Sequence, residues 1–315
     1  TVDKVVFEDK RARRVTARKD GAPLSIAASR EIIIAGGAMA SPGILERSGI
    51  GDPGRLTALG IPVVHANPNV GEHLIEHRGL IVQWKLNTDL SHNKNYYGWR
   101  LIKSALRYYL TRSGPMAAAA YEQIAWFKTD PGLNRPDAQF LLAPFSFDFD
   151  KNREDVERVP GMHVTTYPLR PASQGSIHIT SADAQAAPEL RAGYRSSEQD
   201  RKTMIGAVKM ARRLARQSPL KELIETETMP GPDFDTDDKI IEAYDRFGTC
   251  GYHAVGSCRM GKDPATSVVD PALKVRGVDG LRVMDTSVMP MIPSGNTNGP
   301  TMAMAWRAAD IIMRG

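Results

Sequence analysis

Cysteine is almost missing: Cys250 and Cys258 are the only two in a chain of 315 residues. That is too few for a disulfide framework at this size. It fits a reducing compartment, so a cytoplasmic location is expected. No apolar run approaches the length of a bilayer span, so no membrane-spanning helix is expected. Aromatic residues make up 7% of the chain, and none interleaves with the basic stretch Lys10, Arg11, Arg13, Arg14, Arg18 and Lys19, which carries much of the formal charge of +5. Without aromatics the stretch is no stacking platform for nucleic acid. It reads as the solvated edge of a hairpin, where Lys and Arg discourage edge pairing. The N-terminus lacks the basic-then-apolar pattern of a secretory leader and opens in a strand-like run, so the chain reads as part of a longer pattern.

What is present is ordinary globular material, 42% hydrophobic and 24% charged, enough for about two domains or one large one. Residues 1–8, 14–18 and 25–29 predict an antiparallel meander around charged turns. Residues 31–37 hold Ile32, Ile33 and Ile34 followed by two glycines, the pattern of a strand buried on both faces. Ser41 as cap and Pro42 at the first helical position predict a helix towards Ser48. From residue 79 the texture changes. Residues 80–86, 162–169 and 175–180 predict strands; 97–110, 201–216 and 237–247 predict helices; 115–127 predicts a loop leading into more apolar structure. Residues 281–285 predict a strand ending at Asp285, and Pro300 opens a helix with Met302, Ala305, Trp306, Ala309 and Ile312 on one face. The fold expected is α/β and α+β. Both ends form one domain, 1–78 and 244–315, and residues 79–243 form an inserted domain built on an antiparallel sheet with helices.

Two formal motifs are set aside. Gly49, Gly51 and Gly54 match the spacing of a dinucleotide loop. That loop needs a strand before it and a helix opening within it, whereas here a helix precedes it and Pro53 interrupts it. The glycines read as a helix stop. Cys250, His253 and Cys258 lack a fourth ligand and a CxxC pair, so the two cysteines read as ordinary buried thiols and no metal is expected.

The informative residues are three ordered blocks: Gly251 to Gly261 (GYHAVGSCRMG), Leu281 to Pro290 (LRVMDTSVMP) and Ser294 to Thr301 (SGNTNGPT). A lone histidine in a glycine-rich loop is more often structural than catalytic. With the other two blocks in order, the sequence resembles the glucose-methanol-choline (GMC) oxidoreductases, flavoenzymes that oxidise alcohols. The first block resembles the family's active-site histidine loop, which implies His253 as the base. The second resembles the strand and turn that contact FAD, and the third the loop carrying a second active-site residue, histidine or asparagine in the family and here Asn296. A fourth block, Ala35 to Pro42 and then Ser48 to Gly51, resembles the family's second signature. Residues 60–63 and 70–77 also fit, with His73 where the family more often has asparagine; this stretch is not expected at the reacting site. The agreement is dense at both ends of the chain and sparse from about residue 87 to 242.

The resemblance implies FAD as cofactor, and it implies Val2, Ala35, Gly36, Ser41, Pro42, Tyr252, Asp285, Thr286, Thr297, Asn298, Pro300 and Thr301 as the residues around it. It implies a small-molecule alcohol as substrate, and that an N-terminal FAD-binding segment or partner chain, carrying the glycine loop for the pyrophosphate, completes the site. His253 would accept the hydroxyl proton, Asn296 would donate to the developing oxyanion, and the helix opening near Pro300 would stabilise charge on the flavin. An FAD-containing lyase of the same fold and a non-catalytic fragment are the alternatives.

Overall fold

The computed structural model describes residues 1–149 and 155–314. They form two compact units, one of Thr1–His77, Arg170–Ser197 and Gly251–Gly315, the other of Arg78–Leu169 and Glu198–Cys250. Residues 170–197, expected from sequence in the inserted domain, thus group with the chain's two ends.

In the first unit, Val2–Glu8, Arg11–Lys19 and Ala22–Ala27 make a three-stranded antiparallel sheet in chain order. Both connections are two-residue turns with positive φ throughout, Asp9-Lys10 and Asp20-Gly21, whose twist matches that of paired strands. The basic side chains lie along this sheet, with Arg13 and Arg14 facing Glu8 and Arg18 facing Asp3. Ile32–Ile34 pairs in parallel with Leu281–Val283, Leu281 opposite Ile32, and so joins segments about 250 residues apart in sequence. Ile32 and Ile34 are buried, but Ile33 is 42% exposed. The expectation of burial on both faces is therefore corrected: in this pair the pleat sends alternate side chains to opposite faces.

The following helix spans Gly37–Arg47, so Ser41 is not its cap and Pro42 lies inside it. Pro42 has no N–H to give the carbonyl of Ala38. The Ser257 hydroxyl donates to that carbonyl instead, at 2.6 Å. Ser41 is free for a different role, described with the site. The helix ends at Ser48, and Gly49 follows with φ of +86°; a Cβ there would lie 2.4 Å from the carbonyl oxygen of Pro62. This is the helix stop expected from sequence, and the next helix, Pro53–Ala58, is capped by Asp52. Glu46, fully buried, accepts from the Ile179 N–H at 2.8 Å and pairs with His178. His178 gains a proton more readily than usual: burial opposes this, but Glu46, with Glu72, outweighs it. The unit closes with the helix Asn298–Arg314, over a core that includes Val5, Ile34, Leu45, Leu281 and Val283.

The second unit is an antiparallel sheet in the order Ile224–Met229, Arg78–Leu86, Gly161–Pro168, Ala138–Ala143, Gln123–Phe127, with Thr249–Cys250 paired to the start of Arg78–Leu86. Leu80, Val82, Trp84 and Leu86 alternate along one strand and pack with Met204, Val208 and Ala211 of the helix Glu198–Ala215 and with Ile240, Ile241 and Tyr244 of the helix Asp237–Phe247. The strand Gln123–Phe127 lies in the segment expected as a loop, and Ala138–Ala143 and Ile224–Met229 were not foreseen. Among the described residues no helix is long and apolar enough to cross a membrane.

Candidate active site

The site is assembled by an antiparallel bridge between two segments far apart in sequence. Ile75 and Val255 exchange backbone hydrogen bonds at 3.0 and 2.9 Å, and the Gly251 N–H donates to the His77 carbonyl at 2.8 Å. The histidine loop is thereby laid alongside residues 74–77. Glu76 pins it from the side: its carboxylate accepts the His253 N–H at 2.9 Å and the His77 N–H at 2.7 Å. Burial pushes the Glu76 carboxyl towards protonation, and backbone N–H groups from His253, His77, Gly251 and Ala254 pull it back. Gly251 has to be glycine for the loop to sit so close. A Cβ there would lie 2.8 Å from His253 Nδ1 and 3.0 Å from His77 Cβ. Gly256, at φ +91°, passes against the His73 carbonyl, where a Cβ would lie at 2.3 Å. His73 itself sits at φ +60°, a left-handed conformation in which asparagine is common.

These restraints bury His253, and burial holds its imidazole below the usual pKa, favouring the neutral ring. Its Nε2 lies 3.2 Å from Asn296 Nδ2, the two residues expected from sequence to act together, and its Nδ1 lies 2.9 Å from Nδ1 of His77. The two imidazoles meet edge to face, at 84°. His77 is fully buried. Residues 70–77 were not expected at the reacting site; the structure sets Glu76 and His77 against the loop that carries His253. The repeated Glu-His pair, at 72–73 and again at 76–77, was the signal available in the sequence.

The residues expected around a cofactor fall into groups. Ala35 and Gly36 are exposed between the strand Ile32–Ile34 and the helix Gly37–Arg47. Ser41 is buried; its hydroxyl donates to Asp285 Oδ2 at 2.6 Å and accepts the Gly36 N–H at 3.0 Å, while Asp285 also takes the Gly37 N–H. Asp285 and Ser41 thus shape the turn from beneath, and Pro42 is buried in the helix. Val2 accepts from Arg47 at the sheet edge. Thr286 opens the short turn Thr286–Val288, whose N–H at Ser287 is capped by Asp285. Tyr252, at φ +58°, is 86% exposed. Thr297 is buried and accepts from both the N–H and the hydroxyl of Thr301; Asn298 and Pro300 stand exposed in the first turn of the last helix. Cys258 is buried with its thiol pushed up, and Cys250 belongs to the other unit. Among the described residues no cluster of three or more His, Cys, Asp or Glu is placed to hold a metal.

Two family models, both described as GMC oxidoreductase, match residues 1–78 and 171–305. The chain belongs to the GMC oxidoreductase family. It is 33% identical over 311 residues to oxygen-dependent choline dehydrogenase 1 of Chromohalobacter salexigens, a match covering 98% of this chain and 55% of the relative. It is likewise 33% identical over 314 residues to an alcohol dehydrogenase [acceptor] of Pseudomonas putida, covering 99% of the chain and 56% of the relative. The chain therefore spans about half the length of the curated relatives it matches. Formate oxidase of Aspergillus oryzae RIB40 superposes with a TM-score of 0.91 at 23% identity, over 99% of this chain and 59% of that one, and shows the shared fold. GMC oxidoreductases bind FAD.

Proposed function

We propose that this chain carries the base and part of the flavin site of an FAD-dependent oxidoreductase that converts an alcohol to an aldehyde or ketone. The observation that supports it most is the convergence of His253 Nε2 and Asn296 Nδ2 at 3.2 Å, which sets an acceptor and a donor around one point.

The residues present fit the cofactor. A cleft of about 390 Å³ is bordered by Val2, Gly36, Met39, Ala40 and Arg47, and Gly37 and Gly299 face open space where a Cβ would meet nothing within 4 Å. In this reading Val2, Ala35 and Gly36 border the adenosine part. Tyr252, Thr286, Thr297, Asn298, Pro300 and Thr301 serve the flavin end, with Ser41, Pro42 and Asp285 as the scaffold beneath. A glycine loop for the pyrophosphate is expected outside these residues, in the part of the relatives' length that this chain does not span. Bound FAD would supply the acceptor for the two electrons leaving the carbinol carbon as hydride.

The chain's own residues handle the proton and the charge. A neutral His253 accepts the hydroxyl proton at Nε2, and burial keeps the ring in that neutral form. Asn296 Nδ2–H donates to the alkoxide oxygen as charge develops on it. The N-terminal end of the helix Asn298–Arg314 would favour negative charge on a flavin bound beside it. In the full-length protein, His253→Ala is expected to slow flavin reduction by an alcohol by about a hundredfold to ten-thousandfold, with the deficit smallest at high pH. Anaerobic stopped-flow absorbance measures it, with melting temperature alongside. A parental rate and pH profile would remove His253 as the base. An unbleached flavin in the parent protein, with turnover intact, would favour a lyase.

A further inference from the structure

Building on His253 as the base, we propose that His77 is a positioning residue: its Nδ1 accepts the Nδ1–H of His253 and so fixes the tautomer in which Nε2 of His253 is the proton acceptor. The two Nδ1 atoms lie 2.9 Å apart. One of them must carry the proton, and the rest of the site says which. Asn296 approaches Nε2 of His253 through its amide nitrogen at 3.2 Å, and an amide nitrogen only donates. Nε2 is therefore the acceptor, the ring proton of His253 sits on Nδ1, and His77 Nδ1 receives it.

The surroundings enforce this arrangement. Glu76 spends its carboxylate on the backbone N–H groups of His77 and His253, so it holds the loop in place and leaves the ring to its neighbour. His77 is fully buried, and its carbonyl receives the Gly251 N–H, so both faces of the pairing are anchored to one β-bridge. The absence of a Cβ at Gly251 keeps the space between the rings open. When His253 takes up the substrate proton, its Nδ1–H remains directed at Nδ1 of His77. A histidine whose outer nitrogen is held by a specific partner has its tautomer and ring plane set by that partner.

The test uses the full-length protein with nitrogen-15-labelled histidine. In the parent, His253 should show the Nδ1–H tautomer in its imidazole nitrogen shifts, with a scalar coupling across the hydrogen bond to Nδ1 of His77. His77→Leu removes the acceptor. It should release His253 into a mixture of tautomers and lower kcat about tenfold to a hundredfold, with KM close to the parent's. His77→Asn returns a side-chain acceptor near the same place and should restore both the tautomer and most of kcat. A parent His253 protonated at Nε2, or a folded His77→Leu protein with parental tautomer and kcat, would overturn the assignment. Should His77→Leu fail to fold, the coupling in the parent decides alone. Parental turnover in His253→Ala would instead sink the reading of His253 as the base, and the tautomer measurement would still stand.

Discussion

A histidine serves as a base at neutral pH only when its resting form is neutral, and burial is what holds His253 there. The sign of that shift gives a pH dependence. In the proposed role the deprotonated ring is the active form, and it is lost on acidification through a value below the ordinary histidine pKa of about 6.5. The role proposed for Asn296 differs, since an amide neither gains nor loses a proton in this range. Asn296→Ala should therefore lower the plateau of turnover by about a hundredfold or more while the acid limb of the profile persists and flavin stays bound. A kcat profile from pH 5 to 9, with visible absorbance for flavin content, checks both parts. Loss of the acid limb would mean that the limb belongs to another group, and an unchanged plateau would take Asn296 out of the site.

The helix Gly37–Arg47 shows how an irregularity in one element is compensated from another. Pro42 deprives the Ala38 carbonyl of its helical partner, and the fully buried Ser257 hydroxyl replaces it. Ser257→Ala leaves that carbonyl without this donor and is expected to lower stability by about 1–3 kcal/mol. Chemical denaturation of the variant checks the size of the loss; a midpoint equal to the parent's would mean that the carbonyl is served in another way. The sequence read Pro42 as a first-turn residue because proline prefers that place, and Ser257, more than 200 positions away, was invisible to a local rule. The same limit explains the other differences. The meander of the first 27 residues, the helix Asp237–Phe247 and the strand Arg78–Leu86 were legible because their turns, caps or alternation are local. Ala138–Ala143 has a short apolar run without alternation, and Ile224–Met229 alternates polar residues at a sheet edge, so neither declares itself. Of the site, His253 and Asn296 were legible through motif order. Glu76 and His77 became functional candidates only when the bridge at Ile75 and Val255 brought the two segments together.

At the scale of the whole molecule, the last helix and the parallel pair leave apolar side chains exposed. Along Asn298–Arg314 only Ala308 is buried, while Met302 and Trp306 are 65% and 79% exposed; Ile33 of the parallel pair is exposed as well. Met302 and Trp306 stand four residues apart on one helix face, and exposed apolar side chains of this size are costly to leave in water. The residues proposed for FAD lie in the same unit as these side chains, and in the proposed reading the pyrophosphate loop is not among them. Pyrophosphate carries the cofactor's charge, and backbone N–H groups at a glycine loop are the usual means of holding it. The isolated 315-residue chain should therefore bind FAD weakly or not at all and should enhance the fluorescence of a hydrophobic dye. The full-length protein should retain FAD through gel filtration and show less dye enhancement per mole. Visible absorbance after gel filtration and dye titration of the two proteins make the comparison. Stoichiometric FAD in the isolated chain would place the pyrophosphate site within these residues, and equal dye binding would mean that the exposed apolar side chains remain open in the full-length protein too.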